Sequence, residues 1–219
     1  MRKVVAAVFV SLDGVMQAPG GPEEDPTRGF QHGGWTFNYW DDVMGQAMGG
    51  IFTDSFDLLL GRKTYEIFAG HWPFAAGDPI AEVFNRVTKY VATRSDAPLE
   101  WKNSVALRDA AADVAKLKQQ DGPTLLIQGS SDLIQTLLRH DLIDEFSLLT
   151  FPLVLGTGER LFGQGTIPGA LKLVDSKAST TGVTITRYER AGAFKTGSFQ
   201  LAESSAAEIK RRERMSREG

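Results

Sequence analysis

The chain has 219 residues, 42% of them hydrophobic and 23% charged, with a formal net charge of −3 and no cysteine. That length suits one large packed domain or two small ones, and the composition excludes a disordered, fibrous or repetitive chain. Without cysteine there are no disulfides, thiolate metal sites or cysteine nucleophiles and a reducing compartment, the cytoplasm, is expected; without a basic stripe, nucleic acid is not an expected partner.

Arg2 and Lys3 lead into the apolar run Val4 to Val10, too short to span a membrane and lacking a signal-peptide cleavage site. A central strand covered on both faces is expected there. Residues 17 to 36 hold Pro19, Pro22, Pro26 and five glycines, so a long loop is expected, long enough to act as a lid over a ligand. From Phe37, apolar residues at Trp40, Met44, Ala47, Met48 and Ile51 recur every three or four positions and predict a helix.

Asp57 to Leu60 predicts a buried strand that stops at Gly61, and Arg62 to Phe68 a helix that starts at once with two cations and a hydroxyl. Such a strand–glycine–helix junction is a candidate anion site, because Gly61 lets a ligand approach and the first helical N–H groups are free. It is neither a Gly-x-Gly-x-x-Gly fingerprint nor a P-loop. A strand at Lys89 to Ala92 ends at Thr93 and Arg94, a second possible phosphate-facing end. Leu107 to Gln119 predicts a helix closed by Asp121-Gly122-Pro123, and Thr124 to Ile127 a parallel strand.

Gln128-Gly129-Ser130-Ser131-Asp132 opens a helix with Leu133, Ile134, Leu137 and Leu138 on its core face, where Ser130 or Ser131 serves as a cap, a phosphate contact, or both. Ile143 to Leu155 predicts a long strand, and Leu171 to Ser176 pairs with Val183 to Arg190 across Thr181-Gly182. Glu208 to Glu218 is charge-dense with mixed signs, as in an exposed helix or frayed tail. His32, His71 and His140 stand without a second histidine at ligand spacing, so no metal is expected, and no Gly-x-Ser-x-Gly elbow supports a serine hydrolase.

Taken in order, Ser11-Leu12-Asp13-Gly14, Gly61-Arg62-Lys63-Thr64-Tyr65-Glu66, Gln128-Gly129-Ser130-Ser131-Asp132-Leu133 and Leu142-Ile143-Asp144-Glu145-Phe146 through Pro152 to Gly158 resemble the dihydrofolate reductase superfamily. Within it they are most similar to the reductase domain of riboflavin biosynthesis and its stand-alone relatives. The resemblance implies a three-layer α/β fold over residues 1–191, with a mostly parallel central sheet, an antiparallel C-terminal hairpin and helices on both faces. Residues 192–219 would be an extension.

It also implies an NADPH site at the carboxyl ends of the strands. Gly61, Arg62, Lys63 and Thr64 would meet the 2′-phosphate and pyrophosphate, Thr93 and Arg94 the adenosine phosphate, and Gln128, Gly129, Ser130 and Ser131 the other side of the pyrophosphate. Many reductases of this fold carry two adjacent glycines where this chain has Gln128 before Gly129, so the turn is expected to differ in detail. Asp13 would border the substrate and orient it or relay a proton; its alternative is an ordinary Asp-Gly turn. Asp41 or Asp42 falls where folate reductases place the pterin-binding carboxylate. The implied activity is NADPH-dependent reduction of a small polar heterocycle, most like 5-amino-6-(5-phosphoribosylamino)uracil, with a pterin reductase or a non-catalytic nucleotide- or pterin-binding protein as alternatives. Related reductases are commonly dimers, and the half-apolar strand at Val183 to Tyr188 makes a two-fold homodimer the expected assembly.

Overall fold

The computed structural model describes residues 1–53, 55–164, 166–200 and 202–218. Its centre is an eight-stranded sheet in the order β4-β3-β2-β5-β1-β6-β8-β7. The strands are β1 Val4–Ser11, β2 Phe56–Gly61, β3 Lys89–Ala92, β4 Ser104–Leu107, β5 Thr124–Ile127, β6 Glu145–Phe151, β7 Leu171–Ala178 and β8 Thr184–Arg190. The first six pair in parallel, while β8 runs antiparallel to both β6 and β7.

Period-two alternation assigns the side chains of the central strands to two faces. Val4, Ala6, Val8 and Val10 of β1 join Leu59, Leu125 and Ile127 under α4 (Ala110–Gln119) and α5 (Ser131–Arg139), through Val114, Leu117, Ile134 and Leu137. On the other face, Ala7, Leu58, Leu60 and Leu126 pack beneath α2 (Arg62–Ala69) and α3 (Pro79–Arg86), contributing with Tyr65 and Phe84 to a second cluster. Helix α1 (Asp42–Thr53) adds Met44 and Met48 to a third, with Trp35, Phe30 and Phe151. A last helix, α6 (Ala206–Glu218), holds no buried residue.

At the amino ends of the strands, the Arg2 guanidinium is buried against Asp57, donates to Pro123 O at 2.6 Å and stacks over Tyr90 at 5.3 Å. Asp57 in turn accepts from Thr88 N at 3.1 Å. Lys89 is fully buried, and its Nζ donates to the carbonyls of Phe84, Asn85 and Val87 at the end of α3. Burial pushes its pKa down to about 8. These ionic groups lie at the opposite ends of the strands from the cavity described below.

Several boundaries differ from the periodicity. The apolar spacing from Phe37 does not form a helix at once: Phe37–Tyr39 is one 3₁₀ turn, Trp40 is extended, and α1 begins only at Asp42. Asp41 stops the helix from starting earlier, because its Oδ1 accepts from Met44 N at 2.8 Å as a cap, while Thr181 Oγ1 donates to Tyr39 O at 2.6 Å. Phe37 is consequently 77% exposed. Leu107, the first residue of the predicted helix, is the last of edge strand β4 (Ser104–Leu107), and α4 starts at Ala110 with Asp109 as its cap. The predicted strand 143–155 ends at Phe151, since Pro152 has no N–H to offer a neighbour.

The loop after β1 is tied to the segment after β6 by Asp13. Its Oδ1 accepts from Ser11 Oγ at 2.6 Å and Leu155 N at 3.1 Å, its Oδ2 from Gly156 N at 2.9 Å, and Arg160 closes an ion pair at 3.3 Å. Desolvation pushes the Asp13 pKa up, but the hydrogen bonds from Ser11, Leu155 and Gly156 outweigh it and hold the carboxyl at about 2, below its ordinary 3.8. A carboxyl depressed by folding stabilises the fold fully above its ordinary value and loses that contribution as the pH falls through the folded value. The stability difference between the wild type and Asp13→Asn is therefore expected to be constant above pH 3.8 and to vanish as the pH approaches 2. Urea unfolding at a series of pH values measures it, and a difference that persists at pH 2 would refute the clamp.

Candidate functional site

Strands β2 and β5 are neighbours, yet they feed helices on opposite faces: β2 runs into α2 and β5 into α5. A crevice opens at such a divergence, at the carboxyl ends of the strands. The two strand–helix turns touch there. Gly61 N donates to Gly129 O at 3.2 Å, and a Cβ on Gly61 would overlap Ser130 Oγ. Gly129, at φ +136°, would bring a Cβ within 2.8 Å of Thr64 Oγ1. Both positions thus require glycine, one for space and the other for space and backbone angle. The Gly129–Ser130 peptide is cis.

Both helices start without a side-chain cap. Gly61 precedes α2 and Ser130 precedes α5, and neither side chain bonds the first-turn N–H groups. By contrast, α3 is capped by Asp78 and α4 by Asp109. The free donors of α2 and α5 therefore converge on one place. That place is the end of a cavity of about 1000 Å³, lined by Lys63, Thr64, Gln128, Gly129, Ser130 and Ser131. Gln128 Nε2 is buried with no hydrogen-bond partner among the described residues.

The rest of the cavity runs between the carboxyl end of β1, α1 and the segment after α2. Phe9, Trp40, Met48 and Phe52 give one apolar wall, and Phe68, His71 and Trp72 another, with His71 edge-on to Trp72 at 4.8 Å. The 17–36 loop supplies the third wall and is held in place. Gln17 Nε2 donates to Asp25 O and Thr27 O, its Oε1 accepts from Glu159 N, and Trp35 Nε1 donates to Gln17 O at 2.8 Å. In the same wall Glu24 Oε2 accepts from Gly20 N at 2.5 Å and Gly21 N at 3.1 Å. Desolvation by burial raises the Glu24 pKa above its ordinary value despite these bonds.

The predicted residues separate into groups. Thr64, Gln128, Gly129, Ser130 and Ser131 are brought together on the cavity, over Gly61. Arg62 points along the sheet instead: its Nη1 donates to Ala97 O at 3.1 Å and its Nε pairs with Glu66 at 2.6 Å, beside the turn that carries Thr93 and Arg94. Thr93 is buried and its Oγ1 accepts from Ser95 N, whereas Arg94 is exposed. Lys63 does not join Arg62 and Arg94. Its Nζ lies 3.2 Å from Asp25 and 2.9 Å from Thr27 Oγ1, across the cavity mouth.

The carboxylates chosen for the substrate lie elsewhere. Asp13 is not among the cavity-lining residues and is committed to its loop clamp. Asp41 caps α1 and accepts from Thr180 N and Oγ1; the Thr180 hydroxyl, then the Met44 N–H, lower its pKa. Asp42 is exposed in the first turn of α1. The carboxylates that do line the cavity include Glu24, Asp25 and Glu159. Periodicity does not mark these residues; their one signal is membership of the long Gly/Pro loop or of the segment facing it. Among the described residues no group of three or more His, Asp or Glu side chains is placed to hold a metal, and no helix is long and apolar enough to cross a membrane.

Comparison with known proteins agrees with this architecture. YwjB of Bacillus subtilis (strain 168) is 29% identical over 180 residues, covering 80% of this chain and 91% of its own. A bifunctional diaminohydroxyphosphoribosylaminopyrimidine deaminase/5-amino-6-(5-phosphoribosylamino)uracil reductase from Thermotoga maritima superposes with a TM-score of 0.56 at 16% identity, over 87% of this chain and 57% of that one. Dihydrofolate reductase from Enterococcus faecalis, solved with NADP(H), gives 0.56 at 15% identity, over 86% and 96% of the two chains. These two likenesses establish the dihydrofolate reductase-like fold. The family model described as the RibD C-terminal domain matches residues 2–185, from the first strand into the last, and the chain belongs to that reductase-like family.

Proposed function

We propose that the protein is an NADPH-dependent reductase of a small polar heterocycle, with residues 1–191 as the reductase unit and 192–219 as an extension. The observation that carries this reading is the convergence of two uncapped helix starts on one cavity at the β2/β5 divergence. A dinucleotide fits the groups present. Gly61 and Gly129 leave room for backbone-close phosphates, the N–H groups of α2 and α5 offer donors from both sides, and Gln128 holds an unpartnered one. Arg62 and Arg94 would hold the 2′-phosphate at the rim. The Arg62–Glu66 pair is a partly exposed i,i+4 contact worth about 0.3–0.5 kcal/mol, so a phosphate readily displaces it.

When bound, NADPH supplies a hydride; the chain supplies position and surroundings. The apolar side chains of Phe9, Met48 and Phe52 line the cavity and would exclude water from a ring bound there. The Asp13 clamp positions the loops that border this chamber rather than touching its contents. For the reaction type, the activity named for the Thermotoga maritima neighbour is the reference: hydride to an electrophilic carbon and a proton to the adjoining heteroatom.

Assembly follows from the far edge of the sheet. All eight residues of β7 are exposed, with Leu171 at 40% and Leu173 at 50%, and a bare apolar edge strand is a pairing surface. A two-fold dimer through the β7–β8 region covers it and leaves the cavity open. Light scattering at micromolar concentration is expected to return twice 23.9 kDa; a mass equal to the monomer would refute the dimer.

The cofactor assignment is tested by titration with both nicotinamide dinucleotides. NADPH is expected to bind more tightly than NADH, and Arg62→Ala to narrow the gap by about 1.5–3 kcal/mol, as for hydrogen bonds to charged groups. Equal affinities in the wild type would overturn the 2′-phosphate assignment.

A further inference from the structure

The substrate chamber is acidic. Glu23, Glu24 and Asp25 reach it from the loop and Glu159 from the segment after β6. Lys63 and Arg28 face these four carboxylates, and each is already paired: Lys63 with Asp25 at 3.2 Å, and Arg28 with Glu159 at 2.6 Å. An anionic ligand tail would therefore find no unpaired cation among the described lining residues and would meet Glu23 and Glu24 directly. The donors suited to phosphate are the backbone N–H groups at the starts of α2 and α5, which no side chain caps.

The polar groups that remain describe a ligand. Glu24 spends Oε2 on two backbone N–H groups, leaving Oε1 to accept from a ligand N–H. Of the two buried donors without hydrogen-bond partners among the described residues, Gln128 Nε2 is assigned above to the dinucleotide, and Trp72 Nε1 is left to the substrate. A buried unsatisfied donor is unfavourable, and a ligand acceptor would satisfy it. Around them stand the rings of Phe9, Trp40 and Phe52, a surface for a flat molecule.

Resting on the reductase reading above, we infer that the substrate is a planar nitrogen heterocycle without an anionic tail, neutral or cationic, which gives an N–H to Glu24 and presents a carbonyl or ring-nitrogen acceptor. Both the phosphoribosyl tail of the reference pyrimidine and the carboxylate tail of a folate are disfavoured by the chamber. The carboxylates act as a specificity filter, since a misplaced like charge in a desolvated site costs more than a matched contact gains. Burial raises the pKa of Glu24 against the backbone N–H groups of Gly20 and Gly21; the neighbouring Asp25 charge adds to the rise and His71 opposes it. A cation or N–H donor beside Glu24 offsets that cost.

The test uses the full chain saturated with NADPH at low ionic strength, titrated with cytosine, orotate and cytidine 5′-monophosphate. Cytosine has the donors and the carbonyl without a charge, orotate is a uracil ring that carries a carboxylate, and the nucleotide is the cytosine ring with a phosphate-bearing ribose. Cytosine is expected to bind at least tenfold more tightly than either anion. Glu24→Gln, which can still accept both backbone N–H groups, is expected to narrow the gap at least fivefold while leaving NADPH affinity unchanged. Trp72→Phe, which removes the indole donor and keeps a smaller aromatic ring, is expected to weaken cytosine several-fold with an unchanged circular dichroism spectrum. An anion that binds as tightly as cytosine, or no cytosine binding to the NADPH-loaded protein, overturns the inference alone. Failure to bind NADPH at all removes the reductase reading and this inference with it.

Discussion

The contact between two backbones, Gly61 at the end of β2 and Gly129–Ser130 at the end of β5, is the constraint on which the candidate site depends. A side chain at Gly61 would collide with Ser130, so the turns can meet only because glycine stands there. Their meeting brings two helix starts side by side. Because α2 and α5 lie on opposite faces of the sheet, the free N–H groups converge from both sides on the same crevice. The parallel sheet beneath, buried through Leu58, Leu59, Leu60, Leu125 and Ile127, keeps that spacing fixed.

A second level of organisation surrounds the crevice. The 17–36 loop has little regular structure, yet Gln17, Trp35 and the Asp25–Lys63 pair attach it to both sides of the cavity. The loop therefore forms a wall with a defined set of side chains. In that wall Glu24 Oε2 is held by two backbone N–H groups, which fixes the carboxyl beside the cavity.

Much of this was legible in the sequence, because period and punctuation carry it. The apolar runs at Val4 to Val10 and Leu58 to Leu60, and the glycines that end or follow strands at Gly61 and Gly129, mark buried strands and ligand-facing turns by local chemistry alone. What sequence patterning missed is set by contacts distant in the chain. Helix α1 starts at Asp42 because Asp41 caps it and the Thr180–Thr181 turn holds the preceding segment, a partnership across 139 residues. Strand β4 is four residues long with an exposed middle, so its alternation is too brief to read. Lys63 belongs to the basic Arg62-Lys63 pair in sequence, but successive helical residues point about 100° apart, and only the fold shows that Arg62 reaches Ala97 and Lys63 the 17–36 loop. Asp13 and Asp41 were recognisable as polar residues at turns; that their oxygens are consumed by backbone N–H groups is a tertiary fact.

The claim on which the functional account stands is that the starts of α2 and α5 bind one dinucleotide together. Backbone amide NMR of the full chain, titrated with NADPH, tests it most directly. The account predicts that the N–H resonances of Lys63 and Thr64 in α2 and of Ser131 and Asp132 in α5 shift in one saturable transition with a common dissociation constant. Shifts confined to one helix start, or absent from both while other surfaces respond, would contradict it.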